Sequence, residues 1–170
     1  APNLTPKINV SKKNLLRRRK GSLRIIFLSR ISPKKNLDFL LLVFLKVKVP
    51  INLDVYGVKS DEKYYKYCVS LIDKLPSNIN VKLIDNVPHK KVLKVLSNYD
   101  LFAFPTKGEN FGHVIFESLS VGTPVLVSDK TPWKPDVKGS LQVLKLDQDK
   151  WAKIITYWSK FDNKTHIRNR

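Results

Sequence analysis

The sequence predicts an open, doubly wound parallel α/β sheet of about six strands with helices on both faces. Two observations carry that prediction. Apolar runs of four to seven residues, rich in β-formers, alternate regularly with helix-length amphipathic segments; this is the pattern of successive strand–helix–strand crossovers. The chain has 170 residues, 42% of them hydrophobic and 10% aromatic, which suits one domain with a substantial core and is too short for two.

Residues 1–20 hold two prolines, scattered polar residues and a basic cluster of Lys12, Lys13 and Arg17 to Lys20. They read as a basic linker, leaving 21–170 as the folded domain. The run from Leu23 to Ser29 is a buried strand. A helix with a nearly continuous apolar face follows over 36–47 and stops before Pro50. Residues 52–57 form a second strand ending on Gly57. An amphipathic helix over 61–75 has Ser60 and Asp61 as caps and ends before Pro76. A third strand (81–84), a short helix (90–98) and a fourth strand (101–104) come next, the last closed by Pro105. A helix over 112–121, a strand over 124–127, a sixth strand over 141–146 and a last helix over 149–161 complete the domain. In such sheets ligands sit outside the carboxyl ends of the strands, so the loops after Ser29, Gly57, Ile84 and Phe104 are where a site is expected.

Composition narrows the function classes. The apolar fraction excludes a disordered tail, and the longest apolar run, 37–45, falls well short of a membrane span. One cysteine, Cys68, excludes an internal disulfide framework and a cysteine-based zinc site, and fits a reducing compartment. No His, Cys and carboxylate cluster has metal-ligand spacing. The stretch from Ala1 to Arg19 lacks the apolar core of a signal peptide, and methionine is absent, so the chain is expected to be part of a longer protein. The 32 Lys and Arg outnumber 14 Asp and Glu, a net charge of +18. This makes anionic lipid or phosphorylated ligands reasonable partners. Nothing resembles a recognition helix, a zinc finger or an RNA-binding strand, so nucleic acid is not expected. The cluster at 12–20 reads as a solvated linker, as a surface resting on acidic phospholipid, or, with least support, as a nucleic-acid contact.

The chemistry concentrates in Pro105-Thr106-Lys107-Gly108-Glu109-Asn110-Phe111-Gly112-His113-Val114-Ile115-Phe116-Glu117. It joins a buried strand to a helix, and a helix start there aims backbone N–H groups and a positive dipole end at the strand-end crevice, a ready anion site. A carboxylate beside a phosphate repels it, so Glu109 and Glu117 suit hydroxyl groups, as on a sugar or a ribose. Taken singly, Glu109 also reads as a loop carboxylate capping the helix and Glu117 as a half-exposed helical residue. His113 reads as a capping or packing residue, Cys68 as core, and Trp133, Trp151 and Trp158 as packing.

The spacing of Glu109 and Glu117, followed by Gly122-Thr123-Pro124-Val125, resembles the E-x₇-E motif in the donor-binding domain of family-4 retaining glycosyltransferases of the two-domain GT-B type. Upstream, Ser29-Arg30-Ile31-Ser32-Pro33-Lys34-Lys35-Asn36 resembles the family's G-R-x-x-x-x-K-G loop. The likeness spans residues 23–133. It implies a Rossmann-like domain that binds a nucleotide-diphosphate sugar, with Arg30 and Lys35 gripping the diphosphate and Glu117 holding the ribose hydroxyls. Glu109 would contact the transferred sugar, and the backbone of Asn110, Phe111 and Gly112 would face sugar or phosphate. Gly57, Val87 and Lys90 would flank the base. There are departures from the family pattern: Asn110 and Ser29 stand where glycine is common, and Ser118 where alanine is.

The resemblance further implies transfer of a sugar to an acceptor hydroxyl with retention of configuration and no metal or other cofactor. The sugar or lipid-linked acceptor would be held by an N-terminal domain absent from this chain. Cytoplasmic location, peripheral on the inner face of the plasma membrane, and a role in bacterial surface polysaccharide or glycolipid synthesis would suit the family. Two other classes compete: a non-catalytic nucleotide-binding module of the same fold, and a basic membrane- or nucleic-acid-binding module.

Overall fold

A computed structural model describes residues 21–160. It contains six strands in one sheet: β1 (Leu23–Leu28), β2 (Ile51–Tyr56), β3 (Ile79–Ile84), β4 (Leu101–Phe104), β5 (Val125–Ser128) and β6 (Leu141–Leu144). Five α-helices are present among the described residues: α1 (Leu37–Phe44), α2 (Glu62–Ile72), α3 (Val92–Leu96), α4 (His113–Ser120) and α5 (Gln148–Ser159). The strand order is β3-β2-β1-β4-β5-β6 and every neighbouring pair is parallel. The predicted doubly wound α/β, Rossmann-like sheet is therefore observed.

The central strands are apolar throughout because both of their faces are covered; β4 and β5 have no exposed residue. On one face, Leu37, Leu40, Leu41 and Phe44 of α1 pack with Tyr64 and Cys68 of α2 and Trp151 and Ile155 of α5. On the other, Val92 and Leu96 of α3 pack with Ile115 of α4 against Ile26, Phe102, Val125 and Val127. Cys68, 1% exposed, sits in the first layer as a core residue, and burial pushes its thiol from the usual 9.0 up to about 11. The first layer also carries a polar joint. Tyr64 Oη donates to Asp38 Oδ1 (2.6 Å) and accepts from the Asp38 N–H (3.0 Å), tying α2 to the first turn of α1.

Element boundaries moved in ways that matter for the site. The helix expected over 36–47 covers only Leu37–Phe44: at its start Asn36 adopts a left-handed conformation (φ 66°) after a 3₁₀ turn, Pro33–Lys35, and at its end the N–H groups of Leu45, Lys46 and Val47 bond three residues back, to Leu42, Val43 and Phe44. Strand β3 starts two residues before the expected Val81, and β6 stops two before Leu146. The last helix starts at Gln148, with Asp147 accepting from the Lys150 N–H. Asp61 caps α2 through the Tyr64 N–H, as expected. Ser60 instead donates its hydroxyl to Ile31 O (3.2 Å). The expected linker at 1–20, with its basic cluster, and the end of the last helix at Phe161 lie outside the described residues.

Candidate functional site

The strand order reverses between β1 and β4. From β1 the chain leaves toward β2 through α1 on one face, and from β4 it leaves toward β5 through α4 on the other. The loops 29–36 and 105–112 thus diverge around a crevice at the carboxyl ends of the two central strands, the position where doubly wound sheets take ligands.

Hydrogen bonds sew these loops together. Asn36 is 4% exposed and donates from Nδ2 to Pro105 O (2.9 Å), while the Lys107 N–H donates to Lys34 O (2.8 Å). Thr106, fully buried, donates its hydroxyl to Gly108 O (2.9 Å) and accepts on its carbonyl from the Ser128 hydroxyl of β5. The Glu109 N–H reaches Lys130 O (3.2 Å). The outcome is an ion pair across the crevice: Lys35 Nζ lies 2.6 Å from Glu109 Oε2, with side chains only 12% and 23% exposed. The Lys35 ammonium also stands 5.6 Å from the centre of the Phe104 ring, a cation–π approach.

Gly112 lets the 105–112 loop turn directly into α4. Its φ is 77°, and a Cβ there would meet Ile115 Cδ1 at 2.8 Å and Glu109 Cγ at 3.1 Å, so a side chain would push Glu109 aside. No side chain caps α4, and its first-turn N–H groups face the crevice end of the sheet. Just before it, Phe111 is 46% exposed. Its ring lies 4.9 Å from His113 and 5.4 Å from Trp133, centre to centre, and its carbonyl accepts from Trp133 Nε1.

The other expected site residues are spread around this centre. Arg30 is exposed at the end of β1, and among the described residues no acidic side chain pairs with it. Asn110 and Lys90 are exposed as well, while Val87 is half-buried against the second core layer. Glu117 lies in the second turn of α4, 21% exposed, with Oε1 3.5 Å from Nε2 of His89. Gly57 has a steric reason of its own: a Cβ would sit 1.8 Å from Ser29 O. Here the ladder of β1 and β2 runs on past the strands, through Ser29 N–H to Tyr56 O (3.0 Å) and Ile31 N–H to Val58 O (2.9 Å).

The structure thus brings Lys35 and Glu109 into contact and holds Gly112 against Glu109. Among the described residues, Arg30, Glu117, Gly57, Val87 and Lys90 form no hydrogen bond or ion pair with Lys35 or Glu109. Three residues with a part in the arrangement were not read as such from the sequence. Asn36 stands where glycine is common in the resembled loop, and an Asn beside a turn is a known tolerator of the left-handed region. Trp133 carries an indole N–H that needs a partner. His89 follows Pro88 in the loop expected near the base. Among the described residues no group of three or more His, Cys, Asp or Glu is placed to hold a metal ion, and no helix is long and apolar enough to cross a membrane.

Residues 11–165 match the family model described as Glycosyl transferases group 1. No curated protein sequence matches the chain. Among solved structures, Alr3699/HepE of Anabaena in complex with UDP-glucose superposes with a TM-score of 0.76 at 20% identity, over 92% of this chain and 45% of that one. The catalytic domain of cholesterol-alpha-glucosyltransferase from Helicobacter pylori gives 0.69 at 19% identity, over 86% of this chain and 91% of that one. TarM of S. aureus, in a complex that includes UDP, gives 0.70 at 19% identity, over 98% of this chain and 34% of that one. At these identities the likeness shows a common fold. The chain spans just under half the length of the Anabaena protein.

Proposed function

We propose, from the premise that this chain belongs to the glycosyl transferases group 1 family, that it is the donor-binding half of a retaining glycosyltransferase. The enzyme would move a hexosyl group from a nucleoside-diphosphate sugar to an acceptor hydroxyl. The observation that carries the reading is the meeting of Lys35 and Glu109 at the strand-order reversal. The pair joins the two motifs, cation and carboxylate, that a diphosphate leaving group and a sugar hydroxyl respectively require.

In this reading the donor's diphosphate replaces Glu109 as the partner of Lys35, with Arg30 and the uncapped start of α4 completing the anion site. Glu109 turns to the sugar hydroxyls and Glu117 to the ribose. The bond between the anomeric carbon and the diphosphate oxygen breaks as the acceptor oxygen bonds to that carbon on the same face. The acceptor's proton passes to the departing diphosphate. Charge growing on the diphosphate is met by Lys35, Arg30 and backbone N–H groups already in place, the kind of preorganisation that supplies a large share of catalysis. These steps need no metal.

The acceptor would be a sugar or lipid-linked sugar held by a second, N-terminal domain, so the chain alone would bind nucleotide weakly and transfer nothing. The relative from Helicobacter pylori acts on cholesterol by its name, and another structural relative is a lipopolysaccharide outer core galactosyltransferase. They support a role in surface glycolipid or polysaccharide synthesis in this proposal, and this chain's net positive charge would suit a place on the inner face of the cytoplasmic membrane. The test is calorimetric titration with UDP, GDP, ADP and their sugar conjugates. Saturable binding of one base, weakened by Arg30→Ala and Glu117→Ala, is expected. Binding that ignores Glu109→Ala and does not distinguish a sugar conjugate from the bare diphosphate would favour a non-catalytic nucleotide module, and sugar transfer by the chain alone would overturn the need for a second domain.

A further inference from the structure

His89 is the one residue beside the expected ribose carboxylate whose placement packing does not explain. Its side chain is 93% exposed, so it buries nothing. The turn that carries it is nevertheless well fixed. Pro88 sets the backbone ahead of it (φ −56°), the Lys91 N–H closes the 3₁₀ turn on Pro88 O at 2.8 Å, and Val92 and Leu96 anchor the following helix in the core. An exposed imidazole on an anchored turn is held in place at no packing gain.

The partner it faces is Glu117, whose Oε1 lies 3.5 Å from His89 Nε2. Among the described residues Glu117 makes no side-chain hydrogen bond, and His89 is the cationic-type side chain within 4 Å of its carboxylate. At 3.5 Å the two are approached rather than bonded, and such contacts in empty sites commonly tighten when ligand arrives. An imidazole that carries its proton on Nε2 can donate to the carboxylate. A carboxylate has about four acceptor positions. One directed at His89 restrains the rotation of the group and leaves the others available to a ligand's hydroxyls.

We propose that His89 is a positioning residue for nucleotide binding. It donates from Nε2 to Glu117 Oε1 and thereby orients the Glu117 carboxylate to accept from the ribose hydroxyls of a ribonucleoside diphosphate. The inference rests on the donor-site reading and adds a discrimination, ribose against deoxyribose, carried by one residue of the turn before α3 and one of α4.

The experiment compares binding of UDP, GDP and ADP with their 2′-deoxy counterparts to the 170-residue chain, its Glu117→Ala, His89→Ala and His89→Gln variants. The unaltered chain prefers the ribo form, and Glu117→Ala abolishes the preference. His89→Ala reduces it by about three- to tenfold, the scale of one hydrogen bond, whereas His89→Gln, which keeps a donor at similar reach, retains it. The two His89 variants keep the melting temperature of the unaltered chain, since the His89 side chain is 93% exposed. A ribo preference that His89→Ala leaves intact overturns this inference alone. Absence of binding by every nucleoside diphosphate overturns the donor-site reading and this inference with it.

Discussion

Lys35 Nζ and Glu109 Oε2 lie 2.6 Å apart, so the two motifs that single out this chain, 74 residues apart in sequence, neutralise each other at the centre of the sheet. A lysine ammonium this shielded is costly without a counter-charge, and Glu109 supplies it. In the proposed donor site, ligand phosphate and Glu109 would compete for this one cation.

The competition predicts opposite effects from its two members. Lys35→Ala removes a charge-assisted contact of about 1.5–3 kcal/mol and weakens nucleoside diphosphate binding by roughly tenfold to a hundredfold. Glu109→Gln frees Lys35, and the bare diphosphate binds at least as tightly as before while the preference for the sugar conjugate falls. Titration of both ligands into both variants reads this directly. Equal losses of the bare diphosphate in the two variants would mean that the pair acts as a structural clamp rather than as a displaceable one.

Gly57 gives a stability prediction that involves no ligand. With a Cβ 1.8 Å from Ser29 O, Gly57→Ala forces the continued ladder of β1 and β2 apart, and the obstacle is backbone that cannot rotate away. Overpacking of this kind costs about 1–3 kcal/mol, a fall of several degrees in melting temperature for a domain of this size. Because Arg30 sits one residue after Ser29, the same substitution weakens diphosphate binding. An unchanged melting temperature by calorimetry would show that the two loops separate freely.

The sheet was legible in the sequence because its information is local: β-rich apolar runs and capped amphipathic segments repeat at regular intervals, and all six strands lie where periodicity predicts them to within two residues. The loops where a site is expected, after Ser29, Gly57, Ile84 and Phe104, followed from the same pattern, since doubly wound sheets take ligands at the carboxyl ends of their strands. Contacts between loops were not legible. That Asn36 would leave the helix to reach Pro105, or that Glu117 would face His89, depends on how two distant segments meet, and no period records that. Gly57, read from the resemblance as a flank of the base, has a steric cause invisible in one dimension, the proximity of Ser29 O.

Cys68 predicts a pH effect with a definite sign. Its thiol is raised to about 11 by burial, whereas in the unfolded chain it ionises near the ordinary value. Between those two values the unfolded state has lost the proton and the folded state keeps it. The contribution to stability is therefore complete below pH 9 and declines as pH rises toward 11. Cys68→Ala or Cys68→Ser flattens the decline over that window in urea titrations at successive pH values. At pH 8 the native thiol reacts with an alkylating reagent only as fast as the protein unfolds; rapid labelling of the folded chain would contradict its burial.

Trp133 separates packing from positioning. Its indole N–H bonds to the carbonyl of Phe111 and its ring lies against the Phe111 ring, so it supports the segment 110–112 whose backbone N–H groups face the expected sugar and phosphate. Trp133→Phe keeps an aromatic ring and deletes only the donor. Phe111 O is near solvent and finds water instead, so stability changes by no more than about 0.5–1.5 kcal/mol. The segment it held loses its fixed position, and affinity for the sugar conjugate falls severalfold while Trp133→Ala loses affinity and stability together. If Trp133→Phe binds like the unaltered chain and only Trp133→Ala is impaired, the indole is a packing residue, as its sequence context alone predicts.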